Sequence, residues 1–146
     1  MASPRSVRFD PSTDAHLAAF AARHAGLSHS GAAALLVEEG LRMDAHPGVL
    51  FREGPAGRRA VLVGGPDVWE IVRAVKSARA SEPDVTGDEV LALVAESTGL
   101  PRRMLDTAVA YYTAYPAEVD DLISEADAAE DALEAAVEQR RSLLGA

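Results

Sequence analysis

The sequence predicts a mainly α-helical protein with minor β-structure, and three observations point to that class. The chain has 146 residues, 48% of them hydrophobic, which suits one ordinary domain or two small ones. Apolar side chains recur at helical spacing along most of the chain, whereas strand-like runs occur near the N terminus and between residues 49 and 63. We predict three parts: a small module at residues 1–44, a hairpin with a helix-turn-helix at 45–116, and a long acidic helix at 117–146.

The N-terminal module opens with a short predicted strand, residues 6–10. Val7 and Phe9 fall on one face of it, and Ser6 and Arg8 on the other, as in a half-buried strand. A lone strand leaves its backbone hydrogen bonds unmade. A module of some 40 residues also buries too small a core to be stable on its own. Pairing with the same strand of a second copy solves both problems, so we expect a homodimer.

Two helices are expected to follow this strand. Asp10 and Pro11 have the residue types of an N-cap and a first helical position, and Gly26 ends the first helix. Ser28 is a second N-cap candidate. The predicted inward stripes are Leu17, Phe20, Ala21 and His24 in the first helix, and Ala33, Leu36, Val37 and Leu41 in the second.

The order of strand, helix, Gly26-Leu27-Ser28 turn and helix resembles a ribbon-helix-helix domain of the Arc, MetJ and CopG repressor class over residues 5–43. The resemblance implies a two-stranded ribbon in the major groove of double-stranded operator DNA. Ser6 and Arg8 would then face the bases, with Arg5 near the groove edge, because an arginine fork can donate to guanine O6 and N7 together. The alternative is that Arg8 is a solvated arginine on an edge strand.

Ser28, His29 and Ser30 begin the second helix, where free backbone amides and the helix dipole favour an anion such as a DNA phosphate. Capping by Ser28 is compatible with phosphate contact, and the alternative for His29 is an idle surface residue.

The middle part begins with a predicted hairpin, formed by apolar runs at Val49–Phe51 and Ala60–Val63. Gly65-Pro66 opens a helix to about residue 80. Thr86 to Glu89 fits a capping box for a helix to about residue 98, a glycine turn follows, and Pro101 opens the next helix. Helix, short turn and helix predict a helix-turn-helix, with the hairpin as its wing.

Residues 46–123 resemble an antitoxin-associated domain of unknown function, number four hundred and thirty-three of its series, in the stretches HPGVLFREGPAGRRA, DVWEIV and AVAYYTAYPAEVDDLI. That resemblance implies a winged or plain helix-turn-helix and a neighbouring PIN-like ribonuclease toxin. The expected second DNA contacts are Arg58, Arg59, Arg102 and Arg103, with solvated surface charge as the alternative. Trp69, Tyr111 and Tyr112 can stack on bases, although their helical spacing favours the core.

The C-terminal part is predicted to be one long helix with a 4-3 seam of Leu122, Ala126, Ala129, Leu133 and Ala136. Similarity to VapB-type antitoxins, which place a cation near the metal-binding carboxylates of a toxin, makes Arg140 and Arg141 candidate toxin contacts. The alternative is a solvated helix end whose cations favour the dipole.

Composition excludes several other functions. The chain has no cysteine and its four histidines are dispersed, so we expect no metal, and no nucleotide-binding or catalytic motif indicates a cofactor or an enzyme. No signal peptide or membrane span is expected, which predicts a cytoplasmic protein with no membrane partner.

The net charge of −9 is unevenly distributed along the chain. Residues 1–43 carry four cations and four acids, residues 44–80 six cations and four acids, and residues 81–146 four cations and 15 acids. The N-terminal part is therefore free to approach phosphates.

The strand and helix pattern together with the ribbon-helix-helix resemblance predicts DNA binding, and the resemblance of residues 46–123 implies a type II antitoxin that represses its own operon and neutralises a PIN-like ribonuclease toxin. One alternative is a free-standing ribbon-helix-helix regulator whose C-terminal part senses a ligand or sets the oligomeric state. Another is an interaction scaffold in which the strand only mediates dimerisation.

Overall fold

The computed structural model describes residues 5–55 and 57–145. Its elements are α1 (Pro11–Ala22), α2 (His29–Ala45), β1 (Val49–Gly54), β2 (Gly57–Leu62), α3 (Val68–Ser81), α4 (Asp88–Thr98), α5 (Arg102–Ala114) and α6 (Pro116–Leu144). A mainly helical chain with one two-stranded antiparallel sheet confirms the predicted class. The chain divides into two compact units, Met1–Asp44 and Ala45–Ala146, and each is described by itself. No helix of the described residues combines the length and the apolar character needed to cross a bilayer.

Local capping fixes both helices of the first unit, as the sequence predicts. The Asp10 carboxylate accepts hydrogen bonds from the backbone N–H groups of Ser12 at 3.0 Å and Thr13 at 3.1 Å, and Pro11 is the first residue of α1. Gly26 has a positive φ of 81° in the turn after α1. The Ser28 hydroxyl oxygen accepts a hydrogen bond from the N–H of Gly31 at 3.0 Å and so caps α2.

The first unit buries little apolar surface. Leu17 and Ala32 are buried, and the rest of the predicted α1 stripe is partly buried. The predicted inward positions Val37 and Leu41 of α2 are wrong for a single chain, because these side chains are 57% and 62% exposed. A unit that contains only α1 and α2 has too few elements to cover both faces of α2.

Residues 5–10 form no strand within the single chain. The prediction concerned pairing with a second copy, so the ribbon stays a prediction. The apolar side chains of this segment are open to solvent, with Val7 68% exposed and Phe9 40% exposed.

The second unit begins with the predicted hairpin. β1 and β2 pair antiparallel, with Val49 opposite Leu62 and Gly54 opposite Gly57. Gly57 has a positive φ of 95°, which a residue with a Cβ adopts only with strain. The hairpin prediction is confirmed.

Two helix starts differ from their predicted positions. α3 begins at Val68 rather than Pro66, because Asp67 and Glu70 form a capping box. The capping box predicted for Thr86 and Glu89 is wrong: Gly87, at a φ of 58°, is the N-cap of α4 and makes no side-chain bond. A helix that starts one residue later leaves the Thr86 hydroxyl outside the capping position.

Helices α3 to α6 and the hairpin share one core. α4 ends at Gly99, which has a left-handed conformation, and α5 follows Pro101, as predicted. The buried core residues are Val49, Ala60, Leu62, Val68, Ile71, Val72, Val94, Leu105, Ala108, Tyr111, Val119 and Ile123. The predicted separate part from residue 117 therefore starts inside this core, whereas residues 128–145 are all exposed.

Candidate nucleic-acid interface

An open groove of about 940 Å³ lies between the segment before α1 and the start of α2. We call it the N-terminal groove. Its lining is Arg5, Val7, Arg8, Phe9, Asp14, Ser28, His29, Ser30, Ala33, Ala34 and Val37. Five of the six residues predicted to contact DNA thus lie around one groove, and the sixth, Ser6, is exposed but does not line it.

The hydroxyl-bearing start of α2 is organised by internal hydrogen bonds. The Ser28 and Ser30 hydroxyl oxygens lie 3.3 Å apart, and Ser28 caps the helix at the same time. His29 Nε2 lies 3.2 Å from Asp14 Oδ1, and both side chains are about half exposed. His29 therefore has a partner on α1, and its contact with DNA phosphate stays a prediction.

Asp14 is a groove residue that the sequence analysis missed. Its carboxylate contacts His29 and opposes an approaching anion. Nothing in the local pattern distinguished Asp14 from an ordinary acidic residue in the first turn of a helix.

Asp10 follows the groove residues Arg8 and Phe9 in the chain and is the N-cap of α1. Hydrogen bonds from the Thr13 hydroxyl at 2.6 Å and from the Thr13 and Ser12 amides lower the pKa of the Asp10 carboxyl below its ordinary value. Asp10 is therefore ionised at neutral pH and caps α1 directly after Arg8 and Phe9.

The arginines predicted as second DNA contacts on the hairpin have partners within their own unit. Arg59 donates to the Asp67 carboxylate, which also accepts the indole N–H of Trp69 at 3.1 Å. The Arg59 guanidinium lies against Gly54, where a Cβ would collide with it. Arg58 lies 3.8 Å from Glu53. This geometry favours a structural role for Arg59, which joins β2 to the start of α3.

The two arginines at the start of α5, Arg102 and Arg103, differ in how accessible they are. The Arg102 guanidinium donates to the carboxylates of Asp106 at 3.0 Å and Asp88 at 2.7 Å. These hydrogen bonds raise the pKa of Arg102, and the one to Asp106 has the larger effect. Arg103 is exposed and lines a groove beside Met104 and Thr107. Arg103 is thus the more accessible cation of the two.

The aromatic residues of the second unit differ in accessibility. Tyr111 is fully buried and its hydroxyl donates to Glu118 at 2.7 Å, which confirms its assignment to the core. Tyr112 is partly buried beneath Lys76, whose Nζ lies 5.1 Å from the ring centroid. Trp69 is partly buried.

Ion pairs between α3 and α6 escaped prediction. Arg73 donates to both carboxylate oxygens of Glu130, at 2.8 and 2.5 Å, and lies 2.7 Å from Asp127. Lys76 lies 2.5 Å from Asp120. The Arg73 hydrogen bond lowers the pKa of Glu130. These partners are 44 to 57 residues apart, so no local motif indicates them.

The predicted toxin contacts, Arg140 and Arg141, lie near the end of α6 and are exposed. Arg141 lies 4.0 Å from Glu138. Within the part of the chain that the structure describes, no cluster of three or more potential ligand side chains can hold a metal ion.

No family model, curated protein or solved structure matches this chain.

Proposed function

We propose that the protein is a homodimeric DNA-binding antitoxin whose first unit binds and represses its own operator. The observation that supports DNA binding is the N-terminal groove, where Arg5 and Arg8 lie beside the start of α2 and beside apolar side chains that a single chain leaves exposed. This function is a cytoplasmic one and needs no cofactor.

Dimerisation is the first step of the proposal. Val7, Phe9, Val37 and Leu41 are all between 40% and 68% exposed, although each is a large hydrophobic residue. Pairing residues 6–10 with the same segment of a second copy would satisfy the backbone of both segments and cover Val7 and Phe9. Complete burial of an exposed side chain of this size contributes roughly 1.5–3 kcal/mol, and these partly covered side chains contribute the corresponding fraction.

DNA binding is the second step. In a paired strand Ser6 and Arg8 project from the face opposite Val7 and Phe9. Arg8 can then donate to a guanine edge, while the backbone amides and hydroxyls at Ser28 and Ser30 fit a phosphate. The equal numbers of cations and acids in residues 1–43 keep long-range repulsion low.

The test is binding to the DNA immediately upstream of the protein's own coding sequence, measured by fluorescence anisotropy at several salt concentrations. A shuffled duplex of the same composition is the control. We expect tighter binding to the upstream duplex, with an affinity for both that falls as salt rises. Equal affinity for the two duplexes contradicts operator recognition, and no binding contradicts the proposal.

Neutralisation of a PIN-like ribonuclease by the second unit is supported by the resemblance of residues 46–123 and by the acidic surplus after residue 80, which suits a partner with a basic RNA-binding surface. Co-expression with the neighbouring gene product tests it. We expect a co-purifying complex that lacks ribonuclease activity. An adjacent gene that encodes no nuclease would favour the alternative, a free-standing regulator with a C-terminal oligomerisation domain, to which the exposed half of α6 is suited.

A further inference from the structure

The second unit has a recess of about 440 Å³ to which the hairpin, the start of α3 and the early turns of α6 all contribute. We call it the Trp69 groove. Its apolar lining residues are Pro55, Trp69, Leu122, Ala126 and Ala129. Trp69 and Leu122 are only partly buried, so part of each side chain is accessible. A ligand in the groove can therefore contact an aromatic ring and aliphatic side chains together.

The Trp69 ring is held in place from within the unit. Its indole N–H donates to the Asp67 carboxylate at 3.1 Å, and the Arg59 guanidinium donates to the same carboxylate. Arg59 and Asp67 also line the groove, but their side chains are only 23% and 15% exposed, and their charges offset each other. The ring therefore needs little ordering when a ligand binds, and this pair adds little net charge to the groove.

Two further carboxylates line the groove, and both are exposed: Glu70 on α3 and Glu125 on α6. Glu70 accepts the backbone N–H of Asp67 at 2.9 Å, which keeps its carboxylate at the start of α3. Among the residues that the structure describes, no cation forms an ion pair with Glu70 or Glu125. Arg73, the first cation of α3, is paired with two carboxylates of α6. The groove therefore has two negative charges that no cation of the unit neutralises.

We propose that the Trp69 groove binds an arginine side chain from a basic segment of a partner protein. The guanidinium stacks on the Trp69 ring and donates to the carboxylates of Glu70 and Glu125, while the aliphatic stem packs against Leu122. Arginine fits better than lysine, because its planar fork stacks on an aromatic face and still presents several N–H donors.

The acidic character of the groove selects the class of partner. Nucleic acids and anionic lipid surfaces carry negative charge, which the two carboxylates repel. A neutral apolar segment would remove both carboxylates from water without a partner, which costs free energy. A basic protein segment avoids both costs, and the 15 acids among residues 81–146 attract it over a longer range. The site belongs to the second unit, so it does not rest on DNA binding by the first.

Trp69 is the only tryptophan of the chain, so the fluorescence of the full-length protein reports on this groove directly. The probe is an acetylated, amidated peptide of three arginines and two leucines, and the matched control has citrulline, which is neutral and has nearly the same shape, in place of arginine. We expect a saturable change in emission with the arginine peptide and binding at least about tenfold weaker with the citrulline peptide. Equal binding of the two peptides, or no saturable change, overturns the proposal.

Two single variants separate the groove from general acidity. Glu125→Gln should weaken binding of the arginine peptide several-fold, whereas Glu134→Gln, which removes an exposed carboxylate of the same helix outside this groove, should leave it unchanged. Equal loss in both variants, or no loss in Glu125→Gln, overturns the proposal. A change of emission when the protein alone is diluted would assign the groove to a second copy instead. Binding of the upstream duplex, measured on the same samples, reports on the proposed function separately.

Discussion

Arg8 lies on the lining of the N-terminal groove, and its side chain is exposed. We expect Arg8→Ala to weaken specific binding to the upstream duplex by about 1–3 kcal/mol, because the loss of a bidentate guanine contact has that effect. Thermal unfolding should be unchanged. Arg23→Ala, at the C-cap of α1 and outside this lining, is the matched control. Equal affinities of the Arg8 variant and the native protein would remove Arg8 from the base-contacting surface.

We expect Asp14 to weaken DNA binding at the N-terminal groove, whereas we expect Arg8 to strengthen it. Asp14→Asn removes a negative charge from the groove, beside His29. We expect about 0.2–1 kcal/mol tighter binding to specific and shuffled duplexes alike, the range of an exposed charge interaction. Anisotropy titrations of both duplexes measure this change. Weaker binding by the variant would mean that Asp14 positions His29 for the DNA instead of opposing it.

Among elements, those with local signals were predicted from the sequence. The caps at Asp10 and Ser28 and the turn at Gly99 depend on residues within one helical turn of one another. Two segments carry capping-box spacing, Asp67–Glu70 and Thr86–Glu89, and only the first forms the box in the folded chain. The glycine after Thr86 lets the helix start one residue later, which the spacing alone does not indicate.

Contacts between distant elements were not predictable in this way. Strand alternation predicts Arg5 and Arg8 as DNA contacts and a helix start predicts residues 28–30, and folding places all five around one groove. Asp14 and the ion pairs of Arg73 and Lys76 depend on how helices pack, which a single sequence does not encode in any short pattern.

The segment before α1 is expected to control the oligomeric state of the first unit. Deletion of residues 1–10 removes both the ribbon strand and the Asp10 cap, so a variant that lacks residues 1–9 isolates the strand. We expect that shorter deletion to abolish ribbon dimers of residues 1–44, measured by light scattering, or to unfold them in circular dichroism. A well-folded dimer without residues 1–9 would exclude the ribbon.

The α3–α6 junction should depend on acid pH. Because the folded-state pKa of Glu130 is lowered, its pairing stabilises the protein above the ordinary pKa of glutamate and is lost as pH falls through the lowered value. The difference in urea unfolding between the native protein and Glu130→Gln should therefore be present at pH 7 and shrink progressively as pH falls below the ordinary pKa of glutamate. Glu134→Gln, on an exposed turn of the same helix, is the control. A difference that persists at low pH contradicts the ion-pair explanation.

For the whole molecule, the unequal charge along the chain separates two kinds of surface. Residues 1–43 have equal numbers of cations and acids, whereas residues 81–146 hold 15 of the 23 acids. Net acidity opposes non-specific association of the second unit with nucleic acid, and salt limits the reach of this repulsion to about 8 Å at physiological ionic strength. One chain can therefore bind DNA and still carry a strongly negative total charge.

The exposed outer half of α6 also bears on how long the chain survives intact. Residues 128–145 bury no side chain in a core, so opening this stretch costs little more than its own helical hydrogen bonds. A glutamate-specific protease should therefore cut after Glu134 and Glu138 before it cuts after Glu118, whose side chain is hydrogen-bonded to Tyr111; mass spectrometry of timed digests measures the order. A chain clipped after Glu134 keeps its first unit and loses the outer end of α6, so the rate of clipping limits the lifetime of any activity that needs that end.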